Sequence, residues 1–110
     1  MSVLGSQFKI NIYVEPIHKG SSSEVHLDSC DFNCIFFTSP NKYVELKKSQ
    51  MVKIDKDNYV ALIDSESLGV GTIKMTMEID IPDPLFENNT RKEINTINTG
   101  IKIYPRDVQN

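Results

Sequence analysis

Tryptophan is absent from this chain of 110 residues, and cysteine and histidine occur only twice each. Without tryptophan, sugar stacking and interface anchoring fall to tyrosine and phenylalanine. Two cysteines are too few for the disulfide framework of a small secreted scaffold, and Cys30 and Cys34 fit free thiols of a reducing compartment. No window approaches the roughly 18 apolar residues of a helical membrane span. Basic residues are not in excess either. The formal net charge is -3, whereas a dominant grip on nucleic acid needs clustered lysine and arginine. The opening segment from Met1 to Ser6 has no basic stretch leading into an apolar core, so it does not read as a secretory signal. These shortages predict a soluble protein made in a cytoplasm, with neither nucleic acid nor membrane among its partners.

What the chain does have is alternation. From Ile73 to Ile81 apolar and polar residues alternate without a break. That is the period of a β-strand with one dry and one wet face, and a helix would scatter the same residues around its circumference. Hydrophobic residues make up 39% and charged residues 25%, an ordinary globular composition. The length suits a single domain over residues 1–110, able to hide about two thirds of its unfolded surface.

The same pattern recurs along the chain. Phe8 to Val14 reads as a first strand ended by Pro16, and His18 to Glu24, with its glycine and serines, as a mobile loop. Phe32 to Thr38 reads as a central strand buried on both faces, and Tyr43 to Leu46 as a short strand. Met51 to Ile54 and Tyr59 to Ile63 form a hairpin around the turn-forming run Asp55-Lys56-Asp57-Asn58. After the long strand, Pro82-Asp83-Pro84 stops the ladder, Phe86 to Thr90 is a loop, and Glu93 to Asn98 and Ile101 to Tyr104 are two last short strands. The sum is an all-β, immunoglobulin-like antiparallel β-sandwich of about seven strands, with flexible arms at 1–7 and 105–110. Its predicted core is Phe8, Ile10, Ile12, Phe32, Cys34, Phe36, Tyr59, Ala61, Ile63, Ile73, Met75, Met77 and Ile79.

Chemistry is harder to find. His26, Cys30 and Cys34 recur at four-residue intervals with His18 upstream, but the paired short spacings of a zinc site are missing and Cys34 sits in an apolar strand, where a thiol acts as a small hydrophobe. In an extended strand those two cysteines lie about 13 Å apart, beyond disulfide reach without a bulge at Asp31. Asp55-Lys56-Asp57 begins like a calcium loop, yet Val60 stands where the bend needs glycine. No nucleophile elbow is present, Asp80 and Asp83 flank a proline turn, and Gly69-x-Gly71 precedes a strand rather than a helix. No cofactor or metal is expected. Asn88-Asn89-Thr90 is a formal glycosylation sequon. Arg91 is suited to a bidentate ion pair, within the fold or across an interface. Leu85 and Phe86 are apolar residues in an otherwise polar connection. They either tuck under one end of the sandwich or mark a contact surface.

Taken together, several short signatures resemble a known group: Phe8 to Ile10, Asp31-Phe32 opening a strand that ends in Phe37-Thr38, and Asp55 to Tyr59. Further along come Ile63-Asp64, Leu68-Gly69-x-Gly71, Ile81-Pro82-Asp83, Arg91-Lys92-Glu93 and Thr99-Gly100-Ile101. The chain resembles the small immunoglobulin-like β-sandwich proteins in the structural gene blocks of Bacteroides phages, including the crAss-like group. It is more distantly similar to the N-terminal domains of phage baseplate upper proteins. The resemblance implies a non-enzymatic virion component made in the bacterial host cytoplasm. The first expectation is a capsid auxiliary or decoration protein on the capsid surface, bound to the major capsid protein and anchoring head fibres. The alternative is a tail, ring or baseplate adaptor. The implied partners are virion proteins, including fibre proteins, and further copies of the chain. The expected interface residues are Leu85, Phe86, Glu87, Asn88 and Arg91. A carbohydrate-binding module is a second alternative, with Tyr13, Tyr43, Tyr59 and Tyr104 as its stacking candidates.

Overall fold

The computed structural model describes residues 2–14, 17–19 and 23–105. Its strands are β1 (Ser2–Val3), β2 (Gln7–Tyr13), β3 (Ile17–Lys19), β4 (Ser23–Val25), β5 (Asp31–Ser39), β6 (Lys42–Lys47), β7 (Val52–Asp55), β8 (Asn58–Asp64), β9 (Gly71–Pro82) and β10 (Thr90–Tyr104). The first sheet has the order β1-β10-β9-β5-β6, the second β2-β8-β7, and β3 and β4 form a separate hairpin. Apart from the short β1, which joins β10 in parallel, every pairing is antiparallel. The seven longer strands therefore divide four and three into an immunoglobulin-like sandwich. The architecture is shared but the strand order is its own, because the second of these strands, β5, lies between β6 and β9.

The alternating run occupies β9 as its period dictates. Ile73, Met75, Met77, Ile79 and Ile81 are buried, while Lys74, Thr76, Glu78 and Asp80 face outward. Across the ladder Met75 faces Phe36, Met77 faces Cys34 and Ile79 faces Phe32. The second sheet supplies the opposing layer from Ile10, Ile12, Tyr59, Ala61 and Ile63. The rings of Phe32 and Tyr59 meet edge to face at 5.1 Å, joining the two layers. Of the predicted core, all are buried except Phe8, which is half-buried and packed against the rest.

Four expectations need correction. β5 is central, but only its inner face is fully buried, and Asn33, Ile35 and Phe37 are half-buried on a face with no further sheet over it among the described residues. The two short last strands are one strand, β10, with a register break between Asn98 and Lys102. There Thr99 Oγ1 donates to the Ile73 carbonyl at 2.7 Å and accepts from the Ile101 amide, and Gly100 takes a φ of 78°. The break is a bulge that keeps the chain on its ladder rather than a turn that ends it. The region 18–24 is not a loop throughout, because Ile17–Lys19 pairs with Ser23–Val25; the intervening 20–22 lie outside the described residues. Finally, residues 2–7 are tied into the fold. β1 pairs with Ile103 and Tyr104, the Leu4 amide donates to the Tyr104 carbonyl, and the Gly5 amide donates to Ser65 Oγ at 2.8 Å. Ser65 is fully buried and its hydroxyl also reaches the Val3 carbonyl, so this polar atom is satisfied where it sits. The other expected arm, 105–110, lies outside the described residues beyond Pro105.

Three 3-10 turns, Leu27–Ser29, Lys48–Gln50 and Ser65–Ser67, close the ends of the layers. Each brings an apolar plug that lies outside the strands: Leu27 within the first, Met51 after the second and Leu68 after the third. The Lys48 ammonium binds two of the turns together by donating to the Asp28 and Cys30 carbonyls. Overall dimensions are 60 × 26 × 21 Å. A strand as long as β10 spans roughly 50 Å by itself, which sets the long axis.

Phe36 has no exposed surface. Phe36→Ala is expected to lower the unfolding free energy by about 3–5 kcal/mol, read from the urea midpoint at unchanged slope. Leu85→Ala, at a residue 92% exposed, shifts it by less than about 0.5 kcal/mol.

Candidate contact site

β9 ends at Pro82 and β10 begins at Thr90, and the connection between them is built by its own polar groups. The Asp83 amide donates to the Asn89 carbonyl, the Phe86 amide to the Asp83 carbonyl, and the Asn89 amide to the Phe86 carbonyl, at 2.8, 3.2 and 2.9 Å. Asp83 Oδ1 accepts from the Leu85 amide, an Asx-type turn. Asn89 supplies the left-handed residue, with a φ of 62°. Arg91 fastens this loop to the sheet: its Nε lies 3.3 Å from Asp83 Oδ2, and its Nη1 pairs with Glu93. Glu93 first, and Asp83 after it, hold the guanidinium charge above even its ordinary range.

The consequence is a fixed loop with an apolar tip in solvent. Leu85 is 92% and Phe86 51% exposed, and neither tucks into the sandwich end. Glu87 and Asn88 stand exposed beside them. Of the five expected interface residues, four therefore share the tip, and Arg91 lies behind it as the prop.

A second apolar surface went unread in the sequence. On the outer face of the smaller sheet Val52 pairs with the half-buried Val60, and Leu62 and Ile54 are 59% and 60% exposed. The signal was present, since Tyr59 to Ile63 is apolar at every position and so must present apolar side chains on both faces.

The other candidate chemistries resolve into structural contacts. His26 Nδ1 lies 2.9 Å from Asp57 Oδ1, and the Cys30 thiol points at the His26 carbonyl. Among the described residues no three His, Cys, Asp or Glu side chains are placed to share a metal ion; the side chain of His18 lies outside them. Both cysteines are buried free thiols. Asp55 receives the Asn58 side-chain amide and the Asp57 backbone amide, which hold its carboxyl below the usual range. The residues that begin like a calcium loop are thus engaged in their own turn. A hollow of about 460 Å³ over β2 and β8 is lined by Gln7, Phe8, Lys9, Leu62, Ile63 and Asp64. Its one carboxylate, Asp64, already accepts from the Glu66 amide. The tyrosines do not form a platform: Tyr13 and Tyr43 are exposed on different sheets, Tyr59 is buried, and Tyr104 lies under the Lys102 ammonium. Comparison with protein-family models, with curated proteins and with solved structures gives no match.

Burial pushes the Cys34 thiol up to about 12, against an ordinary value of 9.0. The folded chain keeps this proton at a pH where the unfolded chain has lost it. The stability this confers is intact below the unfolded value and falls as pH climbs from there toward the folded one. Urea titrations across that alkaline window are expected to show the decline, and Cys34→Ala to flatten it relative to wild type. Thiol reagents are expected to leave Cys34 unmodified until the chain is unfolded.

Proposed function

We propose that this chain is a non-enzymatic structural protein of a phage virion, a capsid auxiliary protein that binds the major capsid protein on the outside of the head and serves as an anchor for fibres. The observation that carries this reading is the tip of the β9–β10 loop, where Leu85 and Phe86 stand in water on a loop that backbone bonds and Arg91 hold still. Exposed apolar side chains on a mobile loop mean little. On a fixed loop they are a preformed contact, because docking them costs little further ordering. Burying each against a partner contributes roughly 1.5–3 kcal/mol. Glu87, Asn88 and the Asp83–Arg91 pair give the tip a polar surround, the usual arrangement of an apolar anchor within a wet rim. The virion setting comes from the resemblance of the strand and turn signatures. Attachment suits a sandwich whose charged groups are largely engaged in its own turns and ladders.

Labelled protein is expected to bind purified capsids that lack it and not tail assemblies. Leu85→Ser combined with Phe86→Ser is expected to weaken that binding about 100-fold or more while the urea midpoint stays where it was. Binding to tails instead of heads would move the role to an adaptor, and wild-type affinity in the double variant would remove the tip from the interface.

A further inference from the structure

An edge strand exposes a row of unpaired backbone amides and carbonyls, and proteins usually guard such rows with lysine, bulges or brevity. Of the four edges of the two larger sheets, three are guarded. β7 has four residues and a register break after Lys53. β6 begins and ends in lysine and meets a bulge between Phe37 and Ser39 of its neighbour. β2 carries Lys9 near its middle. The fourth edge is different. β1 covers only Ile103 and Tyr104 of β10, so from Thr90 to Asn98 that strand has no partner on its outer side among the described residues. Over the same stretch it runs against β9 without a break in register.

This stretch also lacks a free charge to defend it. Arg91 is taken by Asp83 and Glu93, and Lys92 lies 3.2 Å from Asp80. Among the uncharged residues left exposed, Thr90, Asn95, Thr96 and Asn98 are polar, and each face carries one isoleucine, Ile94 58% and Ile97 51% exposed. A long, regular, undefended edge with isoleucine on either side is a surface for strand addition.

We propose that this edge pairs antiparallel with the same edge of a second copy of the chain, with Ile94 on the two-fold axis. The register follows from length and charge. Ile94 is the midpoint of the unbroken stretch Thr90–Asn98, so this register alone uses all of it on both copies. It sets Lys92 opposite Thr96, Arg91 opposite Ile97 and Glu93 opposite Asn95, with no like charges facing. Centring on Lys92 or Glu93 would oppose lysine to lysine or glutamate to glutamate, and a parallel in-register pair would oppose every charge to itself, each of which is unfavourable. Nine paired residues exchange roughly eight to ten backbone hydrogen bonds, comparable to the about ten of a standard interface. The product is a closed, isologous dimer in which four long strands from each copy form one continuous sheet. The tip at Leu85 and Phe86 is not used, so this inference stands apart from the proposed attachment role.

Sedimentation of the wild-type chain across a range of concentrations is expected to show a monomer–dimer equilibrium. Ile94→Lys, at an exposed residue, is expected to raise the dimer dissociation constant about tenfold or more by placing two ammonium groups face to face on the axis. A second variant does not depend on that loss. Ile94→Cys is expected to cross-link to a covalent dimer with a short bismaleimide, each thiol adding across one maleimide double bond, whereas Tyr43→Cys, at a residue 60% exposed on the guarded β6 edge, is not. The native thiols are buried and give a silent background. The tip variant with serine at 85 and 86 is expected to dimerise as wild type does. A wild-type chain that stays monomeric throughout, or Ile94→Cys that cross-links no faster than Tyr43→Cys, overturns the proposal.

Discussion

The register of β9 against β5 governs what faces inward everywhere else. With Met75 across from Phe36, Met77 across from Cys34 and Ile79 across from Phe32, the two central strands present one continuous apolar face. A slip of one residue would turn that entire face to water. Because the face is fixed, so is its opposite. Thr76 meets Thr96 at 2.8 Å, Lys92 reaches Asp80, and Asn33 bonds Glu45, so the outside of the larger sheet is laced by cross-strand polar pairs. Individually such exposed pairs contribute little. Their effect is to make the inverted register worse, since it would bury them. The second sheet is then placed by Phe32 meeting Tyr59, with Ala61, fully buried between its larger neighbours, leaving room for the facing side chains.

The two kinds of chain connection answer to this core in opposite ways. The 3-10 turns fold inward and donate Leu27, Met51 and Leu68, so these ends of the layers are sealed by apolar side chains. Ser65 closes the seal by taking the Gly5 amide and reaching the Val3 carbonyl without leaving a buried polar atom unpaired. The β9–β10 connection turns outward. Ile81 is 2% exposed, and four residues later Leu85 is 92% exposed. Pro82 still pairs with Thr90 but brings no amide, and Pro84 brings none either, so the ladder loses its donors and the chain leaves the sheet, with the loop's polar groups satisfied locally.

The alternation of β9 was legible because its polar residues are truly polar, so the period shows. Strand β5 misled for the converse reason: Phe32 to Phe37 is apolar at nearly every position, and only the structure shows that Ile35 and Phe37 are half-buried on the outer face of the larger sheet. The division of β10 into two strands rested on Thr99-Gly100, the same chemistry that makes a turn. Whether such a pair turns the chain or bulges it depends on the partner strand, and Ile73 offers its carbonyl to Thr99. Leu27 and Leu68 could not be read from period, since each is one apolar residue in a polar turn, and Met51, expected at the start of a strand, instead caps the turn before β7. Of the contact site, the residue types were visible in sequence but their exposure was not. The role of Arg91 depended on a carboxylate eight positions earlier being brought under it by the hairpin.

Arg91 belongs to both the edge and the tip. It lies in the unpaired stretch of β10, and it grips Asp83 in the loop that carries Leu85 and Phe86. Its other partner, Glu93, is in the same strand. The tip and the edge are therefore parts of one hairpin, held by one ion-pair network and rooted in the buried face of β9. Rigidity at such a tip has a direct energetic meaning. A contact surface that is already ordered does not lose loop entropy on docking, so a small apolar area suffices where a mobile loop would need a larger one. Small area at one tip is weak alone, but a two-fold dimer presents two tips at a fixed separation, and the second engagement is then intramolecular. If the edge pairs and the tip docks as proposed, one hairpin would supply both contacts, and together they would give a small sandwich purchase on a repetitive surface that neither feature would provide by itself.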